Sequence, residues 1–245
     1  MSKKYELTDE TMEFDGHTLH RIRALKSFSD VMKGDLGGWV ESEENLWQSE
    51  NCWVYDNAKV YDEANVEIDA VVRNEACVCN KARVTDSKVM DKAFVSGLLD
   101  VDRNAIIKGS AKVTGVGPIH KAVIKDNAVI RGSIFIDGQI TIGDNAIIDS
   151  SKIVYLEHYY EIGKDAYIQD NSDIIEISMM DDHQDFYTFY RTKNKETVNV
   201  ISNVYSGSLS DFENKMKLED KKIPDKVKSM LDMVKGYFEL HKLSD

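Results

Sequence analysis

The sequence is short of positive charge. Its 31 Lys and Arg stand against 43 Asp and Glu, a formal net charge of −12 over 245 residues. Holding a nucleic-acid backbone takes a basic excess, so bulk DNA binding is excluded unless a local basic patch supplies it. An acidic surface keeps a protein soluble, or imitates nucleic acid toward a basic partner. Cysteine is scarce too. Three residues, an odd number, argue against a disulfide framework and fit a reducing cytoplasm. No apolar run approaches the ~20 residues of a membrane helix. Met1-Ser2-Lys3-Lys4 leads straight into mixed polar sequence, so neither a membrane span nor a secretory signal is expected.

Motifs that carry chemistry are missing as well. There is no Walker-type phosphate loop, no dinucleotide fingerprint and no Gly-x-Ser-x-Gly nucleophile elbow. Cys77-Val78-Cys79 has one intervening residue, which is not a usual zinc spacing, and no second pair accompanies it. Asp181-Asp182-His183 is a single cluster without partners. We therefore expect no metal and no cofactor.

What is present is a period. Ala58, Ala64, Ala70, Ala76 and Ala82 fall six residues apart, and Val60, Val66, Val72, Val78 and Val84 each follow two places later. Six residues turn a helix by about 240°, which smears apolar positions around it. A strand's period of two divides six evenly. Each hexad thus reads as a short strand followed by a turn, with Asp56-Asn57, Asp62-Glu63, Asp126-Asn127 and Asp144-Asn145 at turns. The register runs on to Ala146 and Ile148, and only the steps into Ser87 and Ala122 are five residues instead of six. Cys52 and Val54 extend it backward, and Ala166 and Ile168 echo it. Such units stack into a solenoid, and its two open ends need caps.

The stretches "IGDNAI" and "IKDNAV" resemble the hexapeptide-repeat, left-handed parallel β-helix family. The resemblance implies a left-handed triangular coil of three hexads, roughly five to six such coils, and a trimer. The expected fold is therefore mainly β, a left-handed parallel β-helix between two caps. "RIRALKSFSDVMKGDLGGWVESEENL", "NCWVYDNAKVY" and "YTFYRT…YSGSLSDFENK" are similar to a group of phage and prophage proteins described by their hexapeptide repeats. That likeness implies a lineage and the cytoplasm of a bacterial host, and brings no catalytic residues.

Residues 1–50 are expected to form an N-terminal cap, with a β-hairpin turning at Asp15-Gly16. Trp39 and Trp47 read as its core. Residues 51–180 form the β-helix, and 181–245 a C-terminal βα domain. There a hairpin turns near Lys193-Asn194-Lys195, and Ser210 with Glu213 reads as a capping box. Pro224 opens a last helix whose apolar face is Val227, Leu231, Val234 and Phe238. This unit reads as a cap that also makes contacts with a partner.

Taking every third hexad collects one wall of the prism. The first wall carries Phe94, Val129 and Ile147; the third carries Val71, Ile106 and Val123. A monomer rarely leaves such apolar rows wet, so these six residues are the expected oligomer interface. The second wall holds Glu67, Asp100, Asp102 and Asp137, and reads as solvated. The third also carries cations, Arg73, Lys88, Lys108 and Lys125, which Arg131 joins from the first wall across a subunit boundary. They either pair with acids of a neighbouring protomer or line an anion-binding groove. The reading favoured is a non-catalytic phage protein that counters host defence by sequestering a small anionic ligand, of the nucleotide second-messenger type, between protomers. Aromatic stacking by Tyr61, Phe94, Phe135 or Tyr155 would add affinity. One alternative is a hexapeptide acyltransferase with a histidine base, for which His120 is the one histidine inside the regular repeat. Others are an inhibitor that grips a host defence protein through the acidic wall or C-terminal domain, and a virion component.

Overall fold

A computed structural model describes residues 3–179, 185–194, 197–202, 205–220 and 225–241. The chain is mainly β, a solenoid of about 7 turns followed by a small sheet and C-terminal helices. Strands stack in parallel register at offsets near eighteen: Lys59 pairs with Cys77, Cys77 with Phe94, Phe94 with Lys112, Lys112 with Val129 and Val129 with Ile147. The branched positions point inward. Val60, Val78, Val95, Val113, Ile130 and Ile148 line the core behind that wall, each at 0% exposure. Each such burial contributes about 1.5–3 kcal/mol. The small positions are just as enclosed, from Ala58 to Ala146, except Gly117, which is half-buried.

The turn count exceeds the five to six read from the repeat, because both ends depart from the six-residue rhythm. Trp39 pairs with Lys59 and Ile147 with Tyr167, each twenty residues on. Two extra residues per turn put those coils out of step with the hexads, so that Ala166 and Ile168 survive only as an echo.

Two kinds of corner bend the chain. At one, Asx residues take left-handed backbone: Asp56 (φ 55°), Asn74 (62°), Asp91 (62°), Asp126 (58°) and Asp144 (51°). Their side chains tie coil to coil. Asp56 Oδ2 accepts from the backbone N–H of Asn74 at 3.0 Å, Asn74 Oδ1 from Asp91 at 3.2 Å, and Asp126 Oδ2 from Asp144 at 3.1 Å. At another corner the strands run through (Phe94–Asp102, Lys112–His120, Val129–Ile142), and Gly97, Gly115 and Gly132 stack at positive φ. A Cβ on Gly115 would lie 2.0 Å from the carbonyl oxygen of Gly132, so only glycine allows that approach.

The hairpin of β1 (Tyr5–Phe14) and β2 (His17–Ala24) turns on Asp15 (φ 52°) and Gly16 (φ 86°) as expected. Its base plugs the first open end: Tyr5, Ile22 and Ala24 join the solenoid core with Leu46 and Trp53, and Tyr5 Oη donates to Leu46 O at 2.7 Å. Trp39 is buried under the Arg21 guanidinium, 5.1 Å from its ring. Trp47 departs from the expectation. It is 39% exposed while its neighbour Leu46 takes the core position, because strand alternation points adjacent side chains to opposite faces.

The other end is closed by a four-stranded antiparallel sheet, Ile174–Met179, Asp185–Arg191, Val198–Ser202 and Tyr205–Ser208. This sheet starts at Ile174, ahead of the break read at 180/181. Ile174, Tyr190 and Ile201 face the solenoid core. Alternate residues Tyr187, Phe189 and Val200 face Phe212 of α1 (Leu209–Asp220) and Leu231, Val234 and Phe238 of α2 (Asp225–Leu240). The apolar face of α2 is thus the one its spacing predicts. The cap of α1 lies two residues earlier than expected. Ser208 Oγ accepts from Asp211 N at 3.1 Å, while Glu213 pairs with Lys235 of α2. Lys195, Pro224 and Asp181-Asp182-His183 lie outside the described residues.

A buried ion pair pins this end. Arg191 Nε lies 3.0 Å from Asp173 Oδ1, with side chains 6% and 1% exposed. Arg191 Nη2 also donates to the carbonyls of Phe238 (2.8 Å) and His241 (2.7 Å) at the end of α2. Its guanidinium stacks 5.0 Å from the Phe238 ring.

Candidate functional site

The third wall begins with Trp53 and continues through Val71, Lys88, Ile106, Val123 and Thr141, paired in that order. Residues two places on form its outer column: Tyr55, Arg73, Met90, Lys108, Lys125 and Gly143. Their backbone hydrogen bonds run between successive coils, Tyr55 N to Val72 O, Arg73 N to Val89 O and Lys108 N to Ile124 O among them. Lys108 and Lys125 are therefore immediate neighbours on one wall. Arg73 stands two coils away beyond Met90, its guanidinium 5.8 Å from the Tyr55 ring. Lys88 sits in the adjoining column, between Val71 and Ile106. Arg131 lies on the first wall, beside Asp149 at 3.4 Å, and is not brought to the others within one chain.

The cations differ in their neutralisation. Lys125 Nζ lies 3.9 Å from Asp126 Oδ2, a long exposed pair of little strength. Among the described residues, Lys88 and Lys108 have no carboxylate partner. The wall therefore keeps unneutralised positive charge in a protein whose total is −12.

The six apolar residues expected at an interface are all half-buried. Val71, Ile106 and Val123 stack in one column of the third wall, and Phe94, Val129 and Ile147 in one column of the first. Phe94 also packs against the buried cluster of Leu19, Trp39, Tyr61, Cys77 and Cys79, so part of its apolar surface is covered within the chain. Of the aromatics, the Phe135 and Tyr155 rings lie 5.7 Å apart at a tilt of 39°, with Tyr155 51% exposed. Tyr61 is buried under the hairpin.

The acidic wall is more neutralised than its sequence suggests. Glu67 is buried and accepts twice from Arg83, at 2.6 and 3.0 Å. Asp137 gathers Arg103 (3.1 Å), His120 (3.6 Å) and Lys121 (3.8 Å). Both ring nitrogens of His120 are shut off from solvent and lack a hydrogen-bond partner among the described residues. A general base must reach the proton that it takes, and both nitrogens here are turned away from solvent.

Two features escaped the sequence reading. A shallow groove of about 490 Å³ is lined by Asp86, Arg103, Asn104, Lys121 and Gln139. It lies at the corner where both five-residue steps fall, into Ser87 and Ala122. The full-length turn at Arg103-Asn104, left-handed at both residues, stands between two shortened ones. That coincidence of the two short steps was the available signal.

The second is His17 at the hairpin tip. Its Nδ1 is 3.1 Å from Glu41 Oε1 and its Nε2 3.4 Å from Asp62 Oδ1. Its ring lies 4.8 Å from Tyr61, whose hydroxyl donates to Asp15 Oδ2 at 3.1 Å. Both ring nitrogens face carboxylates, so the fully satisfied form is the imidazolium. The Glu41 hydrogen bond raises the His17 pKa, and the same bond lowers that of Glu41. The three side chains could in principle offer atoms to a metal ion. With each ring nitrogen on its own carboxylate, the arrangement works as an ion-pair latch holding the hairpin on the solenoid.

In comparisons with known proteins, no family model matches the chain and no curated protein matches it either.

Proposed function

We propose that this protein is a non-catalytic binding protein that captures a small, multiply charged anion of the nucleotide type on its third wall. The carrying observation is the stacked pair Lys108 and Lys125, with Lys108 free of any carboxylate among the described residues and Lys88 one column away. The resemblance to phage and prophage hexapeptide proteins supports the finer statements: a left-handed hexapeptide β-helix, a trimer, and capture of a host defence signal.

Magnitudes shape the reading. A charge-assisted hydrogen bond contributes ~1.5–3 kcal/mol, and nanomolar capture needs ~12 kcal/mol net. Two lysines fall short after association costs. A groove shared between protomers closes the gap, with Arg131 or the exposed Tyr155 of a neighbour facing Lys108 and Lys125. The corner groove is the weaker candidate, because Asp137 already occupies Arg103 and Lys121.

Calorimetry against cyclic and ADP-ribose-type nucleotides tests the proposal, with light scattering for stoichiometry. Binding that Lys108→Glu plus Lys125→Glu abolishes supports it. Silence across the panel, or binding unchanged in that variant, overturns it. A stable host protein captured instead, and lost when residues 186–245 are deleted, favours the inhibitor alternative.

A further inference from the structure

Apart from the cation column, the fold gathers two thiols under its N-terminal hairpin. Cys77 and Cys79 flank the inward-facing Val78 on the strand Cys77–Asn80, so both sulfurs leave one outer face. They are 8% and 2% exposed. Tyr61, Leu19 and Trp39 form a cluster with them, and Met12 and Phe14 of the hairpin pack against it.

Polar groups converge on Cys79. Ser96 is its register partner one coil on. Asn80 Nδ2 lies 3.8 Å from the same sulfur and 2.5 Å from Ser96 Oγ. Donors aimed at a buried sulfur favour the thiolate over the thiol. Contact between the two thiols lowers the Cys79 pKa, and the same contact, with burial, raises that of Cys77.

We propose that Cys77 and Cys79 form a two-coordinate site for a soft, thiophilic d¹⁰ cation of the Cu(I) type. Alternate residues on a strand stand about 6.6 Å apart. A sulfur–metal–sulfur unit with bonds near 2.3 Å spans about 4.6 Å, which two sulfurs leaning together can supply. Structural zinc takes four ligands. Among the described residues the one group of three or more His, Cys, Asp or Glu side chains close enough to share an ion is His17, Glu41 and Asp62, so no third such ligand joins the thiols. Two thiolates in a dry apolar setting, with the Met12 thioether in the packing around it, suit a soft monovalent ion. The ion replaces the thiol protons: Cu(I) and the two cysteines give one bis-thiolate complex, and the displaced protons pass to solvent.

The test titrates the reduced protein, without oxygen, with Cu(I) against a chromophoric Cu(I) chelator. The expected result is one ion per chain and a near-ultraviolet thiolate-to-copper band that saturates at that ratio. Cys77→Ser and Cys79→Ser each weaken binding by more than about 100-fold, beyond what loss of an outer-shell group costs, while Cys52→Ser leaves it unchanged. No retained copper, a requirement for Cys52, or Zn(II) held as tightly as Cu(I) overturns the proposal. X-ray absorption of the loaded native protein covers the case in which a serine variant fails to fold. Two sulfur neighbours support the site, and nitrogen or oxygen neighbours sink it.

Discussion

Arg191→Met should detach the C-terminal cap from the solenoid. The side chain has three tasks: it neutralises Asp173, it serves two carbonyls at the end of α2, and it stacks on Phe238. Methionine keeps much of the apolar stem and removes the charge. Asp173 would retain the backbone N–H groups of Gln169 (2.8 Å) and Asp170 (3.1 Å) on Oδ2, but Oδ1 would be buried and unpaired. Breaking a buried pair from one side costs about 3–5 kcal/mol. At about 2–4 °C per kcal/mol for a chain of this size, the transition should fall by roughly 6–20 °C. Circular dichroism at 222 nm follows it, since the helices lie in this cap. Adding Asp173→Asn to Arg191→Met should recover at least ~2 kcal/mol, because the orphaned charge is gone. A shift under about 2 °C for Arg191→Met, or strict additivity in the double variant, would refute the claim that this pair anchors the cap.

Two further predictions concern the other corners of the molecule. His17 has a raised folded-state pKa, so its stabilisation is complete below the ordinary value of 6.5 and is lost as pH rises through the raised one; Glu41, lowered from 4.5, acts in the opposite sense and fails in acid. Protection of β1 and β2 amides, taken relative to their intrinsic exchange rates, should be greatest between those two ordinary values, and a His17→Gln protein with the same pH profile would refute the latch. Gly132→Ala places a Cβ 1.9 Å from Ser150 O at φ 94° and should cost more than about 2 kcal/mol in strain and displacement, measured by urea unfolding. A loss within the ~0.5 kcal/mol of ordinary surface changes would show that the corner can yield.

Much of the solenoid was legible because its signal is local and repeated. Val60 and its equivalents are buried because a period of six keeps the same residue on the inner face at every turn. The pairing offset near eighteen, and the adjacency of Lys108 and Lys125, follow by counting. The end coils were only faintly legible: Ala166 and Ile168 echo the pattern and are buried as it implies, but two extra residues at Trp39–Lys59 and Ile147–Tyr167 break the rhythm that made the rest visible. Trp47 was misplaced for a related reason. Hydrophobicity marks a residue as suited to a core, and strand phase decides whether it or Leu46 gets there.

The sequence by itself determined the β-solenoid, its inward residues, its Asx corners and the hairpin at Asp15-Gly16, because each depends on spacing within a few residues. Tertiary structure alone decided which distant groups meet: His17 with Glu41 and Asp62, Arg191 with Asp173, Asp137 with Arg103, and the hairpin over Cys77 and Cys79. Those contacts depend on how a cap lands on a stack of coils. That landing is set by the summed packing of many side chains, and no single stretch of sequence records it.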